Sequence, residues 1–174
     1  MINRRSNVFE TNSSSVHTVT LSDNSVNDLK VSKDGYVHLS MGYYGKEFNY
    51  FNNSYDKLSY AILTICYTHG IFLDWYDDSE ELSEDDYESA CSYWIDSLED
   101  LMDTTEYKEV EKCVVSEMTK QGNICYGIKI HQSNCGIDHQ SQEYSSLDEF
   151  FEQNNIENCY QFIFGNYTLN TTQD

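Results

Sequence analysis

The chain has 174 residues, 39% apolar and 14% aromatic, which suffices for one domain with a core and is too apolar for a disordered chain. Thirty acids against ten Lys and Arg give a formal net charge of −20, which repels phosphates; direct nucleic-acid or anionic-membrane binding is not expected, and a basic groove on another protein is. No run of eighteen apolar residues predicts a transmembrane helix, no apolar segment follows Met1, and six cysteines lie scattered without Cys-x-x-Cys pairs, which reads as a cytoplasmic protein with reduced thiols.

Residues 1–15 are polar and irregular. VHTVTL (16–21) alternates and is rich in β-branched residues, which predicts a strand, and SDNSVND (22–28) reads as a loop. YVHLSM (36–41) predicts a second strand, followed by an aromatic loop, GYYGKEFNYFNN. SYDKLSYAILTICYTHG (54–70) reads as a helix capped by Ser54 and ended by Gly70, apolar nearly all round and therefore central to the core.

A second helix is expected from Ser83, with Asp86 in the capping-box position. Tyr87, Ala90, Cys91, Trp94, Leu98, Leu101 and Met102 share its inner face. EYKEVEKCVVSEMTKQG (106–122) predicts a third helix with Tyr107, Val110, Val114 and Met118 inward and Gly122 as its stop. NICYGIKIH (123–131) reads as a strand and NCGID (134–138) as a turn. SSLDEFFEQNN (145–155) carries a capping box in Ser146 and Glu149, CYQFIFGN (159–166) reads as a buried strand, and the polar tail, residues 167–174, is expected to fray. The whole predicts a single α+β domain over residues 1–174, a small mixed or antiparallel sheet packed against three to four helices.

The acidic stretch is the chain's most unusual feature. Between Asp74 and Glu106 there are fourteen acids and no Lys or Arg. One reading is a solvated helix face. Against it, like charges four residues apart destabilise a helix, and ordinary surfaces intersperse both signs. Trp75, Tyr76 and Tyr93 are interleaved with the acids. Carboxylates on successive turns, with aromatic side chains between them, resemble the charge ladder of a nucleic acid and suit a Lys/Arg-lined groove. The candidate partner-binding set is Asp85, Asp86, Glu88, Tyr93, Asp96, Glu99, Asp100 and Asp103, with Trp75 and Tyr76 preceding the helix. DDSEELSEDDYE (77–88) lacks the glycine and ligand spacing of a calcium loop.

RRSNVFETNSSSVHTVTL (4–21) has two readings. Ser, Thr and Asn side chains bonding nearby backbone would make it a polar turn cluster before the first strand. Alternatively, Arg5 would hold a phosphate or carboxylate, with Asn12 and Ser13 as donors and Glu10 or His17 as acid or base. The residues Arg5, Phe9, Glu10, Thr11, Asn12, Ser13, Ser14, Ser15 and His17 resemble the opening of a group of small proteins from bacteriophages and mobile elements of Gram-positive bacteria. The C-terminal SSLDEFFEQNNIENCYQFIFGN is similar to that group's ending. The resemblance covers the two ends, about forty residues, and implies a phage-type accessory protein rather than a particular chemistry.

Cys125, His131, Cys135 and His139 could in principle form a Cys₂His₂ zinc site. On a strand over 123–131, Cys125 and His131 would share a face six residues apart, about 20 Å, too far for one metal. No metal or cofactor is expected, and His38 and His69 carry no signal. Taken together, the acid balance and the phage-type ends point to a non-enzymatic inhibitor of a host nucleic-acid-binding defence protein. A CRISPR effector nuclease is the first target class and a restriction enzyme the next. A small ligand binder or enzyme using residues 5–17 is the alternative, and an assembly protein with a solubilising acidic face is a third.

Overall fold

The computed structural model describes residues 15–22, 24–44, 49–73, 84–137 and 145–173; the side chains of residues 15–18, 49, 84–88, 172 and 173 lie outside that description. In chain order the described elements are β1 (Ser15–Leu21), β2 (Tyr36–Ser40), β3 (Tyr43–Tyr44), β4 (Asn49–Phe51), α1 (Ser54–His69), α2 (Glu84–Asp103), α3 (Thr105–Lys120), β5 (Gly127–His131), β6 (Gly136–Ile137), α4 (Leu147–Gln153), α5 (Cys159–Phe164) and β7 (Tyr167–Gln173). The fold is mixed α+β. Its described strands form three small sheets: antiparallel β1-β7-β4, and the parallel pairs β2-β5 and β3-β6. No helix among the described residues is long and apolar enough to cross a membrane.

α1 is the hub. An apolar run with no polar side has nowhere to face water, and residues 57–66 are accordingly buried all round. α3, α4, α5, β2 and β6 all pack on it. Its start is capped by Asn53, whose side chain accepts from the Asp56 N–H at 2.7 Å, and not by Ser54 as expected. Ser54 is buried one residue further in, where its hydroxyl donates to the Ile163 carbonyl at 2.8 Å and ties α1 to α5. Gly70 ends the helix at φ 68°, and Ile71 N–H reaches back to the Cys66 carbonyl at 2.8 Å.

An aromatic chain fills the space between α1, α4 and α5. The Tyr60 ring meets Tyr44 edge-on at 5.5 Å and Phe150 at 5.3 Å, and Phe150 meets Phe162 edge-on at 5.4 Å. Such pairs each contribute about 0.5–1.5 kcal/mol beyond the area they bury.

The C-terminal third departs from expectation. CYQFIF is a helix, not a buried strand: Asn158 caps α5 by accepting from Gln161 N–H at 3.0 Å, and the Gln161 side chain accepts from Glu157 N–H at 3.1 Å. That Asn-x-x-Gln spacing is a start signal, outweighed in the sequence reading by a short apolar run that suits either state. The tail does not fray. β7 is the central strand of its sheet, with β1 on one side and β4 on the other, and Leu169 and Thr171 are fully buried. Polar composition masked a strand because Thr is β-branched and its backbone pairs on both edges. Gly136–Ile137, expected as a turn, pairs with Tyr43–Tyr44, so the aromatic loop itself contains β3 and β4. At α4, Ser146 caps as expected, while the Glu149 carboxylate returns to the backbone and hydroxyl of Ser145 rather than of Ser146.

Lys57 is a charged residue in this interior. Its ammonium donates to Ser25 Oγ at 2.9 Å, Gly165 O at 3.0 Å and Tyr167 O at 3.2 Å. Loss of hydration pushes its pKa down to about 8 from an ordinary 10.5.

Two outcomes are expected. Phe162→Ala removes a fully buried ring and lowers the unfolding free energy by about 3–5 kcal/mol in a urea titration. Between pH 8 and 10.5 the unfolded chain holds the Lys57 proton more tightly than the folded chain, so the Lys57 contribution to stability rises with pH across that window. Measured against Lys57→Met, the wild type gains unfolding free energy over this range and shows no such gain below about pH 7.

Candidate functional site

α2 and α3 are joined through a single residue, Thr104, which serves both helices. Its hydroxyl donates to the Leu101 carbonyl at 2.8 Å and accepts from Tyr107 N–H at 3.2 Å. α2 lies on α3 along one narrow stripe in which Leu101 is fully buried, Ser97 is buried, and Trp94 and Leu98 are partly buried. Among the described side chains of α2, Ala90 and Cys91 are also partly buried, and the others outside the stripe face solvent.

The centre of that stripe falls between Ser97 and Leu101. At about 100° per residue, Met102 is thereby rotated off the core, and it is 43% exposed where an inward side chain was expected. Ile95, seven residues earlier, is 50% exposed on the same edge. The opposite edge carries Tyr93, 58% exposed and off the core as expected. Between these edges Asp96, Glu99, Asp100 and Asp103 are all exposed at successive i, i+3, i+4 and i+7 positions.

Two electrostatic costs fall on this face. Like charges on adjacent turns repel by a few tenths of a kcal/mol per pair. The acids also crowd the negative end of the helix, whose last turn holds no basic residue. Among the described residues, Asp103 is the one of these four carboxylates with a basic side chain within ion-pair distance. Lys108 Nζ lies 3.4 Å from Asp103 Oδ1 and donates to the Asp103 carbonyl at 2.9 Å, in an exposed pair. At the far end of the acidic stretch, Glu106 meets His69 Nε2 at 3.2 Å; its own backbone N–H and then His69 hold its carboxyl below the ordinary range.

Of the other expected partner residues, Asp85, Asp86 and Glu88 lie on the first turns of α2, their side chains outside the description. Trp75 and Tyr76 lie outside the described residues, as do Ser83, Arg5, Glu10, Asn12, Ser13 and His139. His17 sits on β1 opposite Thr171, its side chain likewise undescribed. β5 begins at Gly127, so Cys125 precedes the strand instead of sharing its face with His131. Cys125 and Cys135 are buried, with their thiols donating to the Gly127 and Leu73 carbonyls at 3.7 and 3.5 Å. Among the described residues no group of three or more His, Cys, Asp or Glu converges as a metal site.

One constellation escaped the sequence reading. β2 and β5 pair in parallel with His38 opposite Lys129 and Ser40 opposite His131, on the sheet's outer face. His38 Nδ1 lies 2.7 Å from His131 Nε2, with the rings 4.8 Å apart, and His38 Nε2 lies 2.9 Å from an Asp34 carboxylate oxygen. With the His38 proton on Nε2 toward Asp34, Nδ1 accepts the Nε2–H of His131. A carboxylate behind two hydrogen-bonded imidazoles fixes their tautomers and can pass a proton along the line. Asp34 and His38 are about a third exposed or more, so the chain is open to solvent. Lys129 Nζ adds a contact at 3.6 Å to Asp34.

The His38 hydrogen bond is the first cause of the lowered Asp34 pKa, ahead of the Tyr36 backbone and the Lys129 charge. His38→Gln therefore moves Asp34 back toward the ordinary carboxylate range, as read by a carboxyl-carbon NMR titration; an unmoved Asp34 would show that the pairing is absent in solution. No protein-family model, no curated protein and no solved structure matches the chain.

Proposed function

We propose that the protein is an acidic, phage-type inhibitor that places the outer face of α2 in the basic groove of a nucleic-acid-binding host defence protein, with a CRISPR effector nuclease as the first target class. The observation that carries this reading is the row Asp96, Glu99, Asp100 and Asp103, exposed on one face and paired only at Asp103 among the described residues.

Four carboxylates over eight residues place about four charges on roughly 10 Å of helix axis. Duplex DNA carries about six over the same length. The densities are close enough for a groove lined with Lys and Arg to receive either. Tyr93 on one edge, and Ile95 and Met102 on the other, supply apolar contact beside the charges, the mixture found where a polar rim surrounds anchoring side chains. A face that served only for solubility would not need its acids at the helix end that repels them, nor exposed Ile and Met along its border. Attraction between such a face and a basic groove speeds association and weakens steeply with salt.

The test separates binding from folding because the two respond with opposite sign. Asp96→Asn, Glu99→Gln, Asp100→Asn and Asp103→Asn together relieve repulsion in the free protein, so its thermal midpoint holds or rises slightly. The same variant loses capture of its target from a bacterial lysate at low salt, and the wild type loses it at high salt. Added duplex DNA competes with the wild type for the captured protein. Capture that is unchanged by the four substitutions would overturn the proposal.

A further inference from the structure

Away from α2, the packing of α5 on α3 brings two cysteines together. Cys113 on α3 and Cys159 on α5 line one solvent-open cavity of about 760 Å³, flanked by Glu109, Lys112 and Tyr160. Both are half-buried, whereas Cys66, Cys125 and Cys135 are buried in the core and Cys91 lies on α2. Each thiol is the leading influence on the other: the neighbouring Cys159 pushes the Cys113 thiol up, and Cys113 holds Cys159 below the usual thiol range, against the opposing effects of burial and the Glu109 charge. Glu117 further raises Cys113, and Lys120 lowers it. Such an asymmetric pair has a nucleophile, Cys159, and a protonated thiol beside it that can resolve a mixed disulfide.

We propose that Cys113 and Cys159 are a redox-active dithiol, accessible through this cavity, which low-molecular-weight disulfides oxidise to an intramolecular disulfide. In the first step the Cys159 thiolate attacks one sulfur of the small disulfide. The S–S bond breaks, a small thiolate leaves with the electron pair, and a mixed disulfide remains on Cys159. In the second step Cys113 gives up its proton to solvent and attacks Cys159 Sγ, expelling the second small thiolate. Two electrons pass to the small disulfide, which ends as two thiols, and the protein loses two hydrogens. The bond staples α3 to α5 across the segment that contains β5, β6 and α4. This chemistry is independent of the acidic face, since neither cysteine lies on α2.

The experiment treats the reduced full-length chain with oxidised glutathione and follows intact mass and peptide maps. The expected product has lost two hydrogens, carries no glutathione, and yields a linked Cys113–Cys159 peptide. Its thermal midpoint rises by several degrees relative to the reduced chain, because the crosslink restricts the unfolded state. Cys113→Ser stops at glutathione on Cys159, Cys159→Ser reacts at least tenfold more slowly, and Cys91→Ser behaves as wild type. A wild-type product that keeps glutathione, or a linkage through Cys91, would overturn the proposal. So would Cys159→Ser reacting at the wild-type rate. The wild-type product alone decides the matter should a serine variant fail to fold.

Discussion

The fold depends on a buried ammonium. Lys57 reaches from the first turns of α1 to three oxygens: a hydroxyl in the segment after β1, and two carbonyls at the corner where α5 gives way to β7. Ser25 is itself bonded to the Gly165 and Asn52 carbonyls at 2.8 and 3.1 Å, so the ammonium sits in a closed polar knot. A charge without hydration is costly; three acceptors offset that cost in part, and the lowered Lys57 pKa registers what remains. The knot fixes where the central helix stands relative to the sheet β1-β7-β4. That in turn sets the surface on which α3 rests, and α3 carries both α2 and the cysteine pair.

The acidic helix is held to this frame lightly. One buried stripe and one bridging threonine fix its orientation, and over residues 89–103 most of its circumference is left to solvent. The arrangement separates two demands within one sequence. Leu101 and Ser97 answer to packing. Asp96, Glu99, Asp100 and Asp103 answer to nothing in the described part of the molecule except, at Asp103, a single exposed lysine. Their mutual repulsion is a small standing cost, and a cationic groove would relieve it.

What could be read from the residues follows from how local each signal is. α1 was legible because an apolar run of that length admits few alternatives, and α3 because Tyr107, Val110, Val114 and Met118 repeat at helical spacing and all prove buried. The acidic face of α2 was legible for the same reason, while the inward placement of Met102 failed on a rotation of about one residue that only packing decides. α5 was misread although Asn158 and Gln161 marked its start, because six residues give periodicity too little length. The pairings were not legible at all. His38 and His131 are 93 residues apart in sequence, and the oxygens that hold Lys57 come from two distant segments. Nothing in the spacing of residues along the chain encodes which side chains a parallel strand pair or a helix crossing will bring together.

The position of β7 also shapes how the molecule is made. Its register sets Ser15 against Gln173 and Leu21 against Tyr167, so β1 finds its partner only after roughly 150 further residues have been synthesised. At about 5–20 residues per second a ribosome takes about 8–30 s to cover that distance. Helices α1 and α3 can collapse meanwhile, but β1 must wait for its partner with its edges bare, as an unpaired strand that other chains could pair with.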